Sequence, residues 1–201
     1  MRRLLLILLI IAPILGYAAG MGPGPGVKSY NSEQSSGEDD LVLAGDTTDR
    51  SGGSDYLQSA SNALVYCYPG GVGYNGTSGT LRYGYLRTGD TLTASNIKMV
   101  VYTKSGSTWS LLETSTARSF VGDSLIEFTF SGASQIPSGT SNVVIGWIAD
   151  GYCNVKTSGS SWQMVNDTSG TYASPPGTIA PDDVCCDEGA LMEIFVTNYQ
   201  R

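Results

Sequence analysis

From about Leu41 onward the chain reads as short runs of alternating apolar and polar positions, broken by turn residues. Alternation with period two predicts strands, because successive side chains of an extended backbone point to opposite faces. LVLA at 41–44 is the first such run. ALVYCYP at 63–69 sets Val65 and Cys67 on one face and Leu64, Tyr66 and Tyr68 on the other, and Pro69-Gly70-Gly71 ends it. TLRYGYLR at 80–87 alternates again, and NIKMVVYTK at 96–104 aligns Ile97, Met99 and Val101. SLLETS at 110–115 and SLIEFTF at 124–130 follow, the second turning Ile126, Phe128 and Phe130 inward. NVVIGWIAD at 142–150 is apolar on both faces, which predicts a central strand with Trp147 in the core. ALMEIFVTNY at 190–199 aligns Met192, Ile194 and Val196. No amphipathic helical pattern lies between these runs. Eight or nine short strands at regular spacing predict an all-β antiparallel β-sandwich over 41–201. Residues 151–189 read as one long irregular stretch pinned by cysteines.

The first residues have another character. Arg2 and Arg3 precede an apolar run from Leu4 to Leu15, and small residues at Gly16 and Ala18 frame a cleavage site. Residues 1–18 therefore read as a secretory signal peptide, too short and too interrupted by Pro13 for a spanning helix. Residues 19–40 are Gly, Pro, Ser and acid, the composition of a flexible leader. The expectation is a secreted, extracellular chain with no membrane attachment after cleavage.

Composition narrows the partners. The net charge is −7 and there is no histidine. Loss of Arg2 and Arg3 takes the charge to about −9, which disfavours nucleic acid, whose phosphates demand cations. Without histidine there is no imidazole base, no Ser-His-Asp triad and no His-ligated metal. Paired carboxylates remain as a route to polysaccharide cleavage. Glu127 and Glu193, however, alternate with apolar neighbours as solvated face residues do, and the expectation is a non-catalytic protein.

Four cysteines, Cys67, Cys153, Cys185 and Cys186, predict disulfides in an oxidising compartment. A strained Cys185–Cys186 bridge is disfavoured against links from that pair to Cys67 and Cys153; each long loop so closed is worth on the order of 4 kcal/mol. Asp182, Asp183 and Asp187 beside the pair form an acidic loop, either simply solvated or a site for a structural calcium ion.

The stretches NIKMVVYTKSGSTWSLLETS and SLIEFTFSGASQIPSGTSNVVIGWIADG, with Tyr102, Gly106, Leu111, Leu112, Gly139, Thr140 and Trp147 at their turn and core positions, resemble jelly-roll-type β-sandwich modules. Such modules occur in secreted and surface proteins and in phage fibres. The resemblance extends over residues 41–201 and implies a carbohydrate-binding-like or adhesive role. Aromatic residues give that role candidate contacts. Tyr66 and Tyr68 share a face, as do Tyr83 and Tyr85, so pairing of their strands would give a four-tyrosine patch flanked by Arg82 and Arg87. Trp109 and Trp162 fall in predicted loops. Flat rings beside polar groups suit carbohydrate; the same rings serve equally to pack one sheet on another. Self-assembly into a filament or coat is the competing expectation, with the leader and LVLA added to a neighbour's sheet edge. Asn75-Gly-Thr and Asn166-Asp-Thr fit the glycosylation acceptor pattern.

Overall fold

The computed structural model describes residues 39–57, 64–69, 73–158, 162–167, 170–179 and 191–201. The chain divides between Ser36 and Gly37, and the described residues all belong to the second unit. The signal peptide, the leader up to residue 38, Cys185, Cys186, Asp182, Asp183 and Asp187 lie outside the described residues.

Described residues form strands and no helix. In chain order they are β1 (Val42–Asp46), β2 (Ser54–Leu57), β3 (Leu64–Pro69), β4 (Tyr74–Gly76), β5 (Gly79–Thr80) and β6 (Tyr83–Thr91). Then come β7 (Asn96–Ser105), β8 (Thr108–Thr114), β9 (Arg118–Ser119), β10 (Leu125–Thr129), β11 (Gln135–Ile136) and β12 (Gly139–Ala149). The last are β13 (Cys153–Ser158), β14 (Trp162–Asp167), β15 (Thr178–Ile179), β16 (Leu191–Met192) and β17 (Ile194–Thr197). All pairings are antiparallel.

One sheet runs β1-β17-β6-β13-β16, with β10 on β6 and β2 on β13. β5 and β11 form a separate two-stranded sheet, and the other large sheet runs β14-β3-β12-β7-β8-β15, with β4 on β12 and β9 on β7. The two large sheets face each other across a core that takes one parity from each long strand: Leu86 of β6, Met99 and Val101 of β7, Ile126 and Phe128 of β10, Ile145 and Trp147 of β12, Ile194 and Val196 of β17. Gly84 makes the close approach workable, since a Cβ there would strike the Met99 sulfur of the opposite sheet. This is the expected all-β sandwich-like fold.

A second apolar layer covers the outer face of the β3–β12–β7–β8 sheet. Leu64, Val100, Tyr102, Trp109, Val144, Ile148 and Ile179 form it, with Tyr172 and Leu111 packed against it. Residues 170–179 cross that face as a strap. The Tyr102 hydroxyl donates to the Pro176 carbonyl at 2.7 Å, Leu111 N to Gly177 O at 2.9 Å, and Lys98 Nζ to Tyr172 O at 3.1 Å. Lys98 also sits 4.4 Å from the Tyr172 ring centroid, a cation–π contact. β12 is therefore buried on both faces, as its continuous apolar run predicted.

The stretch from 151 to 189 departs from expectation. It contains β13 and β14, each six residues long, and the short β15. Their polar content (CNVKTS, WQMVND) concealed them. Hydrogen bonds and ring packing hold the described part of the strap. Among the described residues no disulfide is seen. Cys153 is buried in the inter-sheet core, and burial pushes its thiol up to about 12 despite a smaller lowering by Trp147. Cys67 lies in β3, opposite Ile145 and Met164.

β1 is an intramolecular strand paired with β17, and the Leu41 amide is tied to Asn198 Oδ1 at 2.8 Å. The pairing carries a bulge near Ala44, followed by Gly45 at φ +108°, where a Cβ would fall onto the Ile194 carbonyl.

Candidate functional site

The four-tyrosine patch does not form. Tyr66 and Tyr68 lie in β3, which pairs with β12 and β14; Tyr83 and Tyr85 lie in β6 of the facing sheet. The two alternating runs resemble one another because both span the sandwich, and periodicity alone does not say which sheet a strand joins. Tyr85 is 3 % exposed and stacks on Phe195, with ring centroids 4.8 Å apart. Arg82 is exposed just before β6. Trp109, expected in a loop, is in β8 and buried beneath the strap, with Lys104 Nζ 5.6 Å from its ring centroid. Trp162, also expected in a loop, opens β14 opposite Pro69.

Glu193 is the larger correction. It was expected on a solvated face, yet it is 1 % exposed. The Arg87 Nε donates to its Oε2 at 2.9 Å, Arg50 N at 3.3 Å, and the Arg201 guanidinium lies 3.9 Å away. Arg87 also reaches Asp49 at 3.4 Å. Beside this cluster, the Tyr85 hydroxyl donates to Glu127 at 3.3 Å and accepts from Arg201 N at 2.6 Å, while Gln200 Nε2 donates to Glu127 at 3.1 Å. Burial, reinforced by the Glu127 charge, pushes the Tyr85 phenol up to about 12 against the lowering effect of the Arg201 amide. These groups line a shallow pocket of about 400 Å³ on the outer face of the β6–β17 sheet, with Leu125 at its rim.

Leu125 and Glu127 also wall a second, larger depression. It is an open groove of about 710 Å³ between β10 of one sheet and β9 of the other. Arg118 and Ser119 form the opposite wall, and Val121 and Ser124 form one end. The connection between β9 and β10 creates it by changing sheets, with Phe120 buried in the core as its plug. Asp123 takes φ +50° in that turn, and Asp123 N donates to Gly89 O at 3.0 Å.

The register of β10 decides what faces the groove. Thr88 N donates to Ser124 O at 2.8 Å, and Phe130 N to Arg82 O at 2.8 Å. Hydrogen-bonded positions alternate along an antiparallel ladder, so Ile126 and Phe128 direct their backbone groups to β6. Leu125, Glu127 and Thr129 direct theirs the other way. The Thr129 carbonyl meets the Thr116 amide at 2.9 Å, which confirms the direction. Among the described residues β10 pairs with no strand but β6, so the backbone groups of Leu125 and Glu127 face the groove. Sequence reasoning named none of these groove residues as a site, since an edge position has no local signature.

No cluster of three or more carboxylate or thiol groups suited to a metal ion occurs among the described residues. No family model matches the chain, and no curated protein or solved structure matches it, so the groove and its charged end are what the molecule itself offers as a site.

Proposed function

We propose that this chain is a non-catalytic, extracellular binding module that holds an extended polypeptide segment in the β9–β10 groove. The observation that carries the reading is the open edge of β10, whose Leu125 and Glu127 backbone groups face a groove of about 710 Å³. An added strand satisfies such groups with main-chain hydrogen bonds and leaves specificity to alternate side chains. Arg118 supplies one such determinant, since its exposed guanidinium makes no ion pair with a described residue. The partner strand belongs to another protein, which this chain would hold in an adhesive role.

Selection from a phage-displayed library of random peptides about twelve residues long tests this. The expected result is a family of β-prone binders that slow hydrogen exchange at the Leu125 and Glu127 amides. Binders that protect only other regions, or no binders at all, would reject the reading.

A second reading is carbohydrate binding. The groove favours it with the Ser119 and Ser124 hydroxyls beside Arg118 and Glu127, although it presents no exposed aromatic platform among its lining residues. A glycan array run in parallel separates the two: retention of an oligosaccharide lost in Arg118→Ala and Glu127→Gln variants supports the sugar. Export itself is checked by sequencing the protein recovered outside the cell, which is expected to begin at Ala19.

A further inference from the structure

The end of the sandwich next to the groove carries three exposed apolar side chains on three separate loops. Leu92 is 48 % exposed in the β6–β7 turn, Val121 is 52 % exposed before β10, and Tyr152 is 43 % exposed between β12 and β13. These loops are stitched together. Thr93 N and Ala94 N donate to Tyr152 O at 3.0 and 2.9 Å, and Tyr152 N donates to Thr93 Oγ1 at 2.8 Å. Phe120 N donates to Ser95 O at 2.9 Å, and the Thr88 hydroxyl donates to Val121 O at 2.5 Å. The backbone beneath the three side chains is thus fixed before any partner arrives, which lowers the ordering cost of binding. Carboxylates surround them. Asp90 and Asp123 are exposed, Asp123 holding Lys156 Nζ at 2.9 Å, and Asp150 is held below the ordinary carboxylate value: burial opposes this, but hydrogen bonds from Asn96 and Ser95 outweigh it. Val121 also lines the end of the groove.

We propose that this apolar, acid-rimmed pole is a second contact zone for the ligand that occupies the groove, taking an apolar side chain flanked by Lys or Arg just beyond the strand that pairs with β10. This rests on the strand-addition reading. The rim keeps an acidic excess, three carboxylates against Lys156, and this selects the partner: a basic segment is attracted, whereas a second copy of this chain, at net −7, would bring acid against acid. Continuity through Val121 makes the two zones one surface.

The test compares the wild-type chain with a Leu92→Ser/Val121→Ser/Tyr152→Ser variant against the selected peptides, lengthened at either end by four residues of sequence Lys-Leu-Lys-Lys or Ser-Ser-Ser-Ser. All three positions are exposed, so the unfolding midpoint is expected to stay in place. The basic apolar extension, attached at the end that reaches Val121, is expected to tighten binding to wild type about tenfold and to lose that gain in the variant. The serine extension is expected to do nothing. Equal gains in both proteins, or no gain from Lys-Leu-Lys-Lys at either end, would overturn the pole while leaving the groove reading intact. If the unextended peptides do not bind, both fall together. If a gain persists in the triple variant but vanishes at 0.5 M salt, the rim alone attracts and the apolar contact is rejected.

Discussion

Glu193 shows how a single side chain in this fold is held against its own preference. A carboxylate removed from water is tolerated only with close, well-oriented partners, and here Arg87, Arg201 and the Arg50 amide provide them. Arg87→Met would strip the nearest guanidinium and leave a buried anion with weaker support. The expected loss is about 3 kcal/mol, read from urea unfolding. Adding Glu193→Gln to that variant is expected to restore part of the loss, because the stranded charge is gone. Additive losses would mean the two side chains do not depend on one another. The alternation around Glu193 gave correct facing for Met192 and Ile194, but it could not reveal the cluster, since Arg50 and Arg87 are remote in sequence and Arg201 lies past the end of β17.

At the scale of elements, the strap of residues 170–179 is the unit whose attachment can be tested directly. The Tyr102 hydroxyl bonded to Pro176 is its most buried tether. Tyr102→Phe keeps the ring in the outer layer and removes the bond, so a loss of about 1 kcal/mol is expected. Faster hydrogen exchange and proteolysis between 170 and 177, with the sandwich strands unchanged, would report a locally loosened strap. Uniform acceleration across the chain would contradict that picture. Strands with strong alternation or continuous apolar content, such as β7, β10, β12 and β17, were legible because one or both faces are buried. β2, β13 and β14 were not, because polar residues dominate their sequences and long-range pairing makes them strands. The site was legible least of all. Tyr66, Tyr68, Tyr83 and Tyr85 carried a plausible local signal, but sheet membership separated them. The groove, by contrast, arises where a connection crosses from one sheet to the other, and no residue type announces that.

For the whole molecule, ionisation sets limits at both ends of the pH scale. Asp46 and Asp150 hold their protons less tightly when folded than the ordinary 3.8. Burial works against both, and is outweighed at Asp46 by Thr48 and Arg50 and at Asp150 by Asn96 and Ser95. Their contribution is present above that value and is lost as the pH falls through the folded pKa values. Tyr85 and Cys153 are raised to about 12 from 10.0 and 9.0, chiefly by burial. Their contribution is complete below about pH 9 and is lost as the pH rises toward 12. A urea midpoint that is flat near neutrality and declines on both sides is expected, with Tyr85→Phe shrinking the alkaline decline. A midpoint that climbs between pH 10 and 12 would be incompatible with it.

The two apolar layers also differ in what guards them. Between the sheets, access requires separating long ladders; on the outer side of β12 and β7, the cover that the described residues supply over Tyr102, Val100, Val144 and Ile148 is the strap of residues 170–179. One cut in that short cover would leave the sandwich standing but turn a wettable wall into a greasy plaque. A nicked chain would then clump while still giving the spectroscopic signature of folded β-sheet.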